Sequence, residues 1–588
     1  MIELLDALKK KVPRGVPFFV PMIRRIAQHF PHLIGVCLIA ALACLLYVPF
    51  LGNPLVFDDM PLFSGEGFSN FGMLPFGFDL RHLPYFSLAF TQIVWGQFPP
   101  WGHPEIHRVL SLAFHLACSL ALYKLLCDLL SAARAMPDAP SPDEARINVN
   151  ALAFVGAAVF AIHPVTVYGE AYLIQRTIVF ATLFSLLSLI YFVRGLSRGS
   201  HADAISAALF YTLAVLSKEH SVLLPAVAVL AVPLVGSERR FAARHTALYL
   251  AACAPAAIFV TLLSKGVIGD AYEPSFRMVA DQLEGVFGFD ISDFPWSLSA
   301  VTQAGLFFKY LALWLWPDTR SMSIDFRVNF IETWSPGWTL LKVSAFVACG
   351  TFGFLLLRRR GRAGLVGFGL LYTWVLFLVE FTAARFQEPF VLYRSYLWAP
   401  GIMIMLVALL SGVSRRTALA AFMFVCPVLL YQARDRLVTF SSPLILWKDA
   451  VAKLPEKPIP WGSRTLYNLG REYLYSGHPD KAIETAERCL AQYPNTYHCH
   501  FARGAIHLEL GEFDQALRHL TRALGLRPEG GLARHLGFIF ENRGRLEEAK
   551  MFYRRAAELG YKAADNRISR LDAPDGGLLQ PKKAITVR

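Results

Sequence analysis

Apolar runs recur from Leu33 to Leu430, the longest of about 17–23 residues, and they constrain the fold more than any other feature of the chain. As helices the longest can cross a hydrocarbon core of about 30 Å. In lipid, a helix also satisfies its own backbone hydrogen bonds. The 588-residue chain is 55% hydrophobic and 17% charged, with mean hydropathy +0.42, too apolar for an ordinary soluble protein. The expected fold is all-α: a polytopic helical membrane bundle followed by an α-solenoid.

The net charge of +13 does not indicate nucleic-acid binding, because much of the Lys/Arg excess falls in short loops between apolar runs, where it sets orientation. Residues 1–32 carry Lys9, Lys10, Lys11, Arg14, Arg24 and Arg25 and read as a cytoplasmic segment ahead of an uncleaved anchor. The transmembrane domain is expected over 33–435, with outer loops 52–106, 265–339 and 382–396. Its spans are Leu33–Leu51, Val109–Leu130, Ala151–Ile162, Leu173–Phe192, Ala204–Leu216, one ending at Arg239-Arg240, Ala247–Leu263, Leu340–Leu357, Leu365–Phe381, Leu397–Leu410 and Thr417–Leu430, about eleven in all. Leu306–Trp316 reads as re-entrant or interfacial. Counted as a span, it would put the basic loop Arg358-Arg-Arg-Gly-Arg362 outside. The long outer segment adds Asp270, Asp281, Glu284, Asp290 and Asp293. Seven cysteines lie in or beside apolar runs, Cys489 and Cys499 lie in the tail, and no spacing suggests a metal site or a disulfide framework.

The tail, 441–571, is periodic. Leu469-Gly470, Tyr473, Ala482, Ala486 and Pro494 are followed 34 residues on by Gly504, His507, Ala516, Ala523 and Pro528, then after 33 by Gly537, Ala549, Tyr553 and Ala556. This is the tetratricopeptide pattern of two packed helices per unit, a partner-binding solenoid with a half-unit at Leu446–Pro455 ahead of it. Residues 572–588 read as a disordered tail.

Asp58 and Asp59 follow the first span directly, at headgroup depth on the outer face. The same face receives Glu170 and Arg176 in the turn between spans three and four, Lys218-Glu219-His220 after span five, and Arg394 before span ten. His163-Pro164, Arg81 and His82 lie there too. Each has a bland reading: a solvated loop, a snorkelling lysine, a turn-closing ion pair, a helix end. Together they suit removal of a proton by Asp58, with Asp59 beside it, and stabilisation of an anionic leaving group by Lys218, Arg394 or Arg176. Glu170, Glu219, His163, Arg81 and His82 are supporting candidates. Adjacent carboxylates in an extended loop point opposite ways, so one of the pair faces the reacting group. His103, His107 and His115 lack the spacing of a metal helix, and no metal is assigned.

The stretches Val56-Phe-Asp-Asp59, His163-Pro164 with Glu170-Ala171 and Arg176, Leu216-Ser-Lys-Glu219, Tyr393-Arg-Ser-Tyr-Leu-Trp-Ala-Pro400 and the repeats resemble, in order, the transmembrane and tetratricopeptide-repeat-containing O-mannosyltransferases, within the multispanning glycosyltransferase class GT-C. The resemblance implies a base at Asp58, a polyprenyl-phosphate sugar donor, and a protein or peptide acceptor recruited by the repeats. The acids that the family usually carries after the turn arginine and in the late motif are missing from Gln175-Arg176-Thr177 and Arg394-Ser395. The alternative is a non-catalytic membrane scaffold displaying a repeat domain. Transport fits less well, since the charges lie at span ends. The expected location is a bacterial inner membrane with periplasmic repeats, or an ER membrane with lumenal repeats in a eukaryote.

Overall fold

The apolar runs fold as helices. The computed structural model describes residues 19–64, 71, 77, 79–95, 104–134, 148–266, 295–328, 336–386, 388–561 and 563–572, and among them there is helix but no strand. Lys9 to Arg14, Trp101 to His103, the acidic residues from Asp270 to Asp293 and the segment beyond 572 lie outside the described residues.

The first domain comprises α1 (Phe19–Tyr47), α2 (Asp59–Ser64), α3 (His82–Trp95), α4 (Pro104–Arg134), α5 (Val149–Ile162), α6 (Val167–Glu170), α7 (Arg176–Arg198), α8 (Ala202–Ser217), α9 (Leu224–Ala231), α10 (Arg239–Leu263), α11 (Pro295–Leu315), α12 (Pro336–Arg358), α13 (Gly361–Phe377), α14 (Ala399–Leu410) and α15 (Arg415–Thr439). Among the described residues eight helical stretches are long and apolar enough to cross a membrane, and four shorter apolar ones accompany them. Most of α7 and α13 is buried in the bundle. By contrast, α10, α12 and α15 turn large side chains outward, among them Leu262 (66% exposed) and Phe424 (73%). An apolar face of that extent suits a lipid surround. Inside the bundle, α13 and α14 meet at two glycines: a Cβ on Gly369 would stand 2.4 Å from the Gly401 carbonyl oxygen. Only hydrogen side chains allow that approach.

α11 contains all of the stretch 306–316 but Trp316, and at 21 residues it is long enough to cross. Trp296 donates to the Phe381 carbonyl (2.7 Å), Gln303 to that of Pro389 (2.8 Å), Tyr310 to that of Val391 (3.0 Å) and Trp314 to the Ser395 hydroxyl (3.0 Å). Both ends of the helix therefore bind the 381–395 segment, which lies between the C-terminus of α13 and the N-terminus of α14. The helix packs beside that segment along most of its length.

The tail continues through α16 (Pro443–Ala452), α17 (Gly462–Tyr475), α18 (Pro479–Gln492), α19 (Tyr497–Glu509), α20 (Phe513–Leu526), α21 (Gly530–Asn542), α22 (Leu546–Glu558) and α23 (Ala563–Leu571). These are three helix pairs with a helix before and after. The small residues lie at the contacts: Ala482, Ala486, Ala516, Ala523, Ala549 and Ala556 are all buried. Between the helices of each pair, Gly477, Gly511 and Gly544 adopt φ of +76°, +76° and +71°, the left-handed turn that glycine makes without strain. The expectation of no disulfide is corrected: Cys489 and Cys499 are bonded. The turn between α18 and α19 brings their Cα atoms to 5.3 Å, although a lone pair ten residues apart follows no framework pattern.

The solenoid is seated on the bundle. Trp447 of α16 packs edge-on to Phe57 (5.2 Å), Arg436 of α15 binds Asp449 (3.1 Å), and Thr465 of α17 donates to Asp325 (2.7 Å).

Candidate active site

The segment from Asn53 to Asp59 leaves the first apolar helix and is held on three sides. Asn53 donates to the Leu437 carbonyl on α15 (3.1 Å). Arg108 of α4 donates to the carbonyls of Asn53 (2.9 Å), Pro54 (2.7 Å) and Ala171 (2.6 Å). Phe57, at φ +50°, wedges against Trp447 and lies under the Arg464 guanidinium (5.5 Å). A left-handed non-glycine residue costs about 1–3 kcal/mol, and here the packing around Phe57 offsets it.

This geometry separates the two carboxylates. Asp59 is fully buried and accepts the backbone N–H groups of Leu173 (3.2 Å) and Ile174 (2.8 Å), fixing the turn that leads into α7. Burial pushes its carboxyl up to about 7, with those N–H bonds and Arg108 acting in opposition. Asp58 is solvent-exposed and accepts the Tyr172 hydroxyl at 2.6 Å. Desolvation raises its pKa, the Tyr172 bond lowers it, and nearby Glu388 adds to the rise. Asp58 is thus the member of the pair open to solvent, and Asp59 anchors the loop to the turn before α7.

From Asp58 the site continues through aromatic rings. Tyr172 meets Tyr393 with centroids 6.2 Å apart, and the Lys218 ammonium lies 5.0 Å over the Tyr393 ring. Lys218 is buried and donates to Gln175 Oε1 (3.1 Å) and Thr177 Oγ1 (3.3 Å), both neutral. Burial and the neighbouring Arg81 charge depress its pKa well below the ordinary lysine value. Gln175 and Thr177 flank Arg176, and among the described residues no carboxylate lies within ion-pair distance of Lys218.

Around this core runs a chain of paired charges. Arg81 donates to both carboxylate oxygens of Glu219 from Nε (3.1 Å) and Nη2. His220 stands with one ring nitrogen 3.3 Å from Glu219 and the other 3.3 Å from Glu380. Glu380 also receives Arg385 (2.9 Å) and Arg394 (3.2 Å). Arg394 reaches the Glu388 carbonyl (3.1 Å), and the Glu388 side chain takes Arg464 of the solenoid (2.9 Å). Arg464 also binds Asp325 (3.2 Å), which pairs with Arg327. Burial opposes ionisation of Glu388, but Arg464 and Arg394 outweigh it and hold the carboxyl below its usual range.

Four candidates lie apart from this chain. Arg176 is buried and directs its donors to Ser111 (3.3 Å), Ser87 (3.3 Å) and the His107 carbonyl (2.8 Å), tying α3 and α4 to α7. Glu170 is buried behind it, its carboxyl pushed up to about 7 by desolvation against the attraction of Arg108 and Arg176. His163 caps α5 and stacks on Trp314 at 4.2 Å, beside a cavity of about 160 Å³ lined by Ile402, Met403 and Leu406. His82 lies near the start of α3, 3.9 Å from Asp79.

Arg108, Tyr172, Glu380, Asp325 and Arg464 went unread in the sequence. Arg108 and Glu380 carried a signal, being ionisable residues at the ends of apolar helices. Tyr172 and Arg464 carried none. Among the described residues no group of three or more His, Cys, Asp or Glu is placed to hold a metal ion.

The tetratricopeptide repeat family matches residues 467–530 and, overlapping, 501–564, so the similarity covers the solenoid. No curated protein matches the chain.

Proposed function

We propose that this chain is an inverting glycosyltransferase that uses a polyprenyl-phosphate sugar as donor and a hydroxyl of a protein or peptide as acceptor. The observation that carries the reading is the pairing of one solvent-open carboxylate, Asp58, with a buried cation, Lys218, that has only neutral partners, joined through Tyr172 and Tyr393. Asp58 takes the acceptor hydroxyl proton as that oxygen attacks the anomeric carbon. The carbon–oxygen bond to phosphate breaks, and its electron pair leaves on the phosphate oxygen. Lys218 gains there the anionic partner that the protein does not provide, and Arg394, anchored by Glu380, adds a planar donor fork. Attack opposite the leaving phosphate inverts the sugar carbon.

The bundle is read as membrane-embedded, with the Asp58 end outward. Short basic loops such as Arg239-Arg240 and Arg358-Arg359-Arg360 lie at the opposite end, as expected of a cytoplasmic face. The Cys489–Cys499 bond in the solenoid supports the same orientation, since disulfides persist in oxidising compartments. The solenoid, seated beside Phe57, would bring the acceptor to Asp58.

The test uses the full-length protein in nanodiscs, radiolabelled polyprenyl-phosphate sugars and a membrane extract as acceptor, with wild type and Asp58→Asn run side by side. Transfer by wild type and its loss in the equally folded variant supports the reading. No turnover by wild type across a broad donor panel, with stable capture of a protein by the solenoid, would replace it with the scaffold reading.

A further inference from the structure

At the end of the bundle away from Asp58, a cleft of about 1220 Å³ opens between the last turns of α4 and α7, the loop after α9, the first turns of α10 and the α12–α13 turn. Ser197 in its wall lies 21 residues along α7 from Arg176, roughly 31 Å at 1.5 Å per residue. The cleft is therefore remote from the proposed active site. It also exceeds the roughly 300–1,000 Å³ of a typical small-ligand pocket. Small residues such as Ala243 and Ala247 leave this space open.

The lining is divided by chemistry. Arg239 and Arg360 stand at the rim, both exposed, and among the described residues neither has a carboxylate within ion-pair distance. Arg360 holds φ +53° in the turn ahead of Gly361, an unfavourable backbone that fixes where its side chain leaves the chain. Between them and the apolar interior lies Thr246, whose hydroxyl oxygen is buried with no hydrogen-bond partner. The inner wall is Val229, Val232 and Leu250. From Leu250 one side of α10 continues through Ile258 and Leu262, both exposed.

A soluble anion would use the arginines and leave the apolar wall and the α10 track uncovered. We propose that the cleft holds the phosphate headgroup of an anionic phospholipid, with Arg239 and Arg360 on the phosphate and the acyl chains along the Leu250, Ile258 and Leu262 side of α10. The inference rests on the bundle being embedded in a membrane and is independent of the transferase chemistry. Guanidinium forks match phosphate oxygens, and a buried hydroxyl without a partner gains one from the glycerol or phosphate oxygens.

The experiment measures thermal unfolding of the full chain in a mild zwitterionic detergent, titrated separately with phosphatidylglycerol, phosphatidylcholine and sn-glycerol 3-phosphate. Native mass spectrometry of the same samples counts bound lipid. The expected result is a saturable rise in Tm of several degrees with phosphatidylglycerol and one retained lipid, little change with the other two, and loss of the rise in R239Q/R360Q. Ala247→Trp, which fills the cleft and leaves the arginines in place, is expected to lose it as well. An equal rise with phosphatidylcholine overturns the proposal by showing an unspecific detergent effect, and a rise with glycerol phosphate alone shows a soluble-anion site. No rise in wild type overturns it whether or not the variants fold, as does a full rise retained in both folded variants.

Discussion

At the end of the bundle that holds Asp58, carboxylates and guanidiniums interlock from Arg81 through Glu219, Glu380 and Glu388 to Arg464 and Asp325, whereas at the opposite end Arg239 and Arg360 face a cleft with no carboxylate in reach among the described residues. The difference follows from burial. Glu380, Arg394 and Asp325 lie almost wholly inside the protein, where an unpaired charge costs several kcal/mol, so each has a partner. Arg239 and Arg360 are exposed and can take counter-charge from their surroundings. Interlocked charge makes a stiff, preformed frame, while free charge is receptive. Within the same end Asp58 is open to solvent, and Lys218, like Arg108 and Arg176, is held by neutral groups.

The largest effect expected is on Asp58. Asp58→Asn should lower sugar transfer by about 10²–10⁴-fold, measured as initial rate with saturating donor, while the fold persists. Next is the frame. Glu380→Gln leaves Arg385 and Arg394 buried without their shared carboxylate, and should cost about 3–5 kcal/mol, read as a fall in Tm in detergent. If Tm holds, the chain of pairs is not what stiffens this end. Replacing Cys489 and Cys499 by serine should cost the solenoid about 2–3 kcal/mol and leave the bundle transition in place, seen as a split melting curve.

The pH dependence sharpens the case for Asp58. Its pKa is raised in the folded protein, and a base must be ionised, so the acid limb of kcat/KM should lie above the roughly 3.9 of a free aspartate. The same shift means that the folded state binds the proton more tightly. The associated stability is present below the unfolded pKa and is lost as pH rises through the folded one. At neutral pH Asp58→Asn should therefore be no less stable than wild type. The smallest effect is at the other end: Arg239→Gln, exposed and unpaired, should change stability in lipid-free detergent by no more than about 0.5 kcal/mol.

The solenoid was legible because its phase repeats, and its small residues lie where the 34-residue period puts them. The interfacial reading of Leu306–Trp316 rests on counting basic loops, whereas by length and composition α11 is among the helices able to cross a membrane. The start of that helix was less legible: α11 begins at Pro295, eleven residues before the apolar run. The candidate site was legible as a set of charges at span ends, including Asp58, Lys218, Glu219 and Arg394. The partners of those charges were not. Glu380 was read only as part of a span, and Arg464 lies 406 residues from Asp58 in the sequence.

Sequence alone determined that this chain builds helices of membrane-crossing length, that a tetratricopeptide solenoid follows, and that an acidic pair stands just past the first apolar run. Those properties reside in local composition and periodicity, which need no third dimension to be read. Tertiary structure decided which aspartate faces outward, that Arg176 braces the interior, that Lys218 meets only neutral groups, and that two cysteines bond. Each depends on where distant segments meet. A carboxylate acts as base, cap or counter-ion according to the donors around it, and here those donors come from helices hundreds of residues apart.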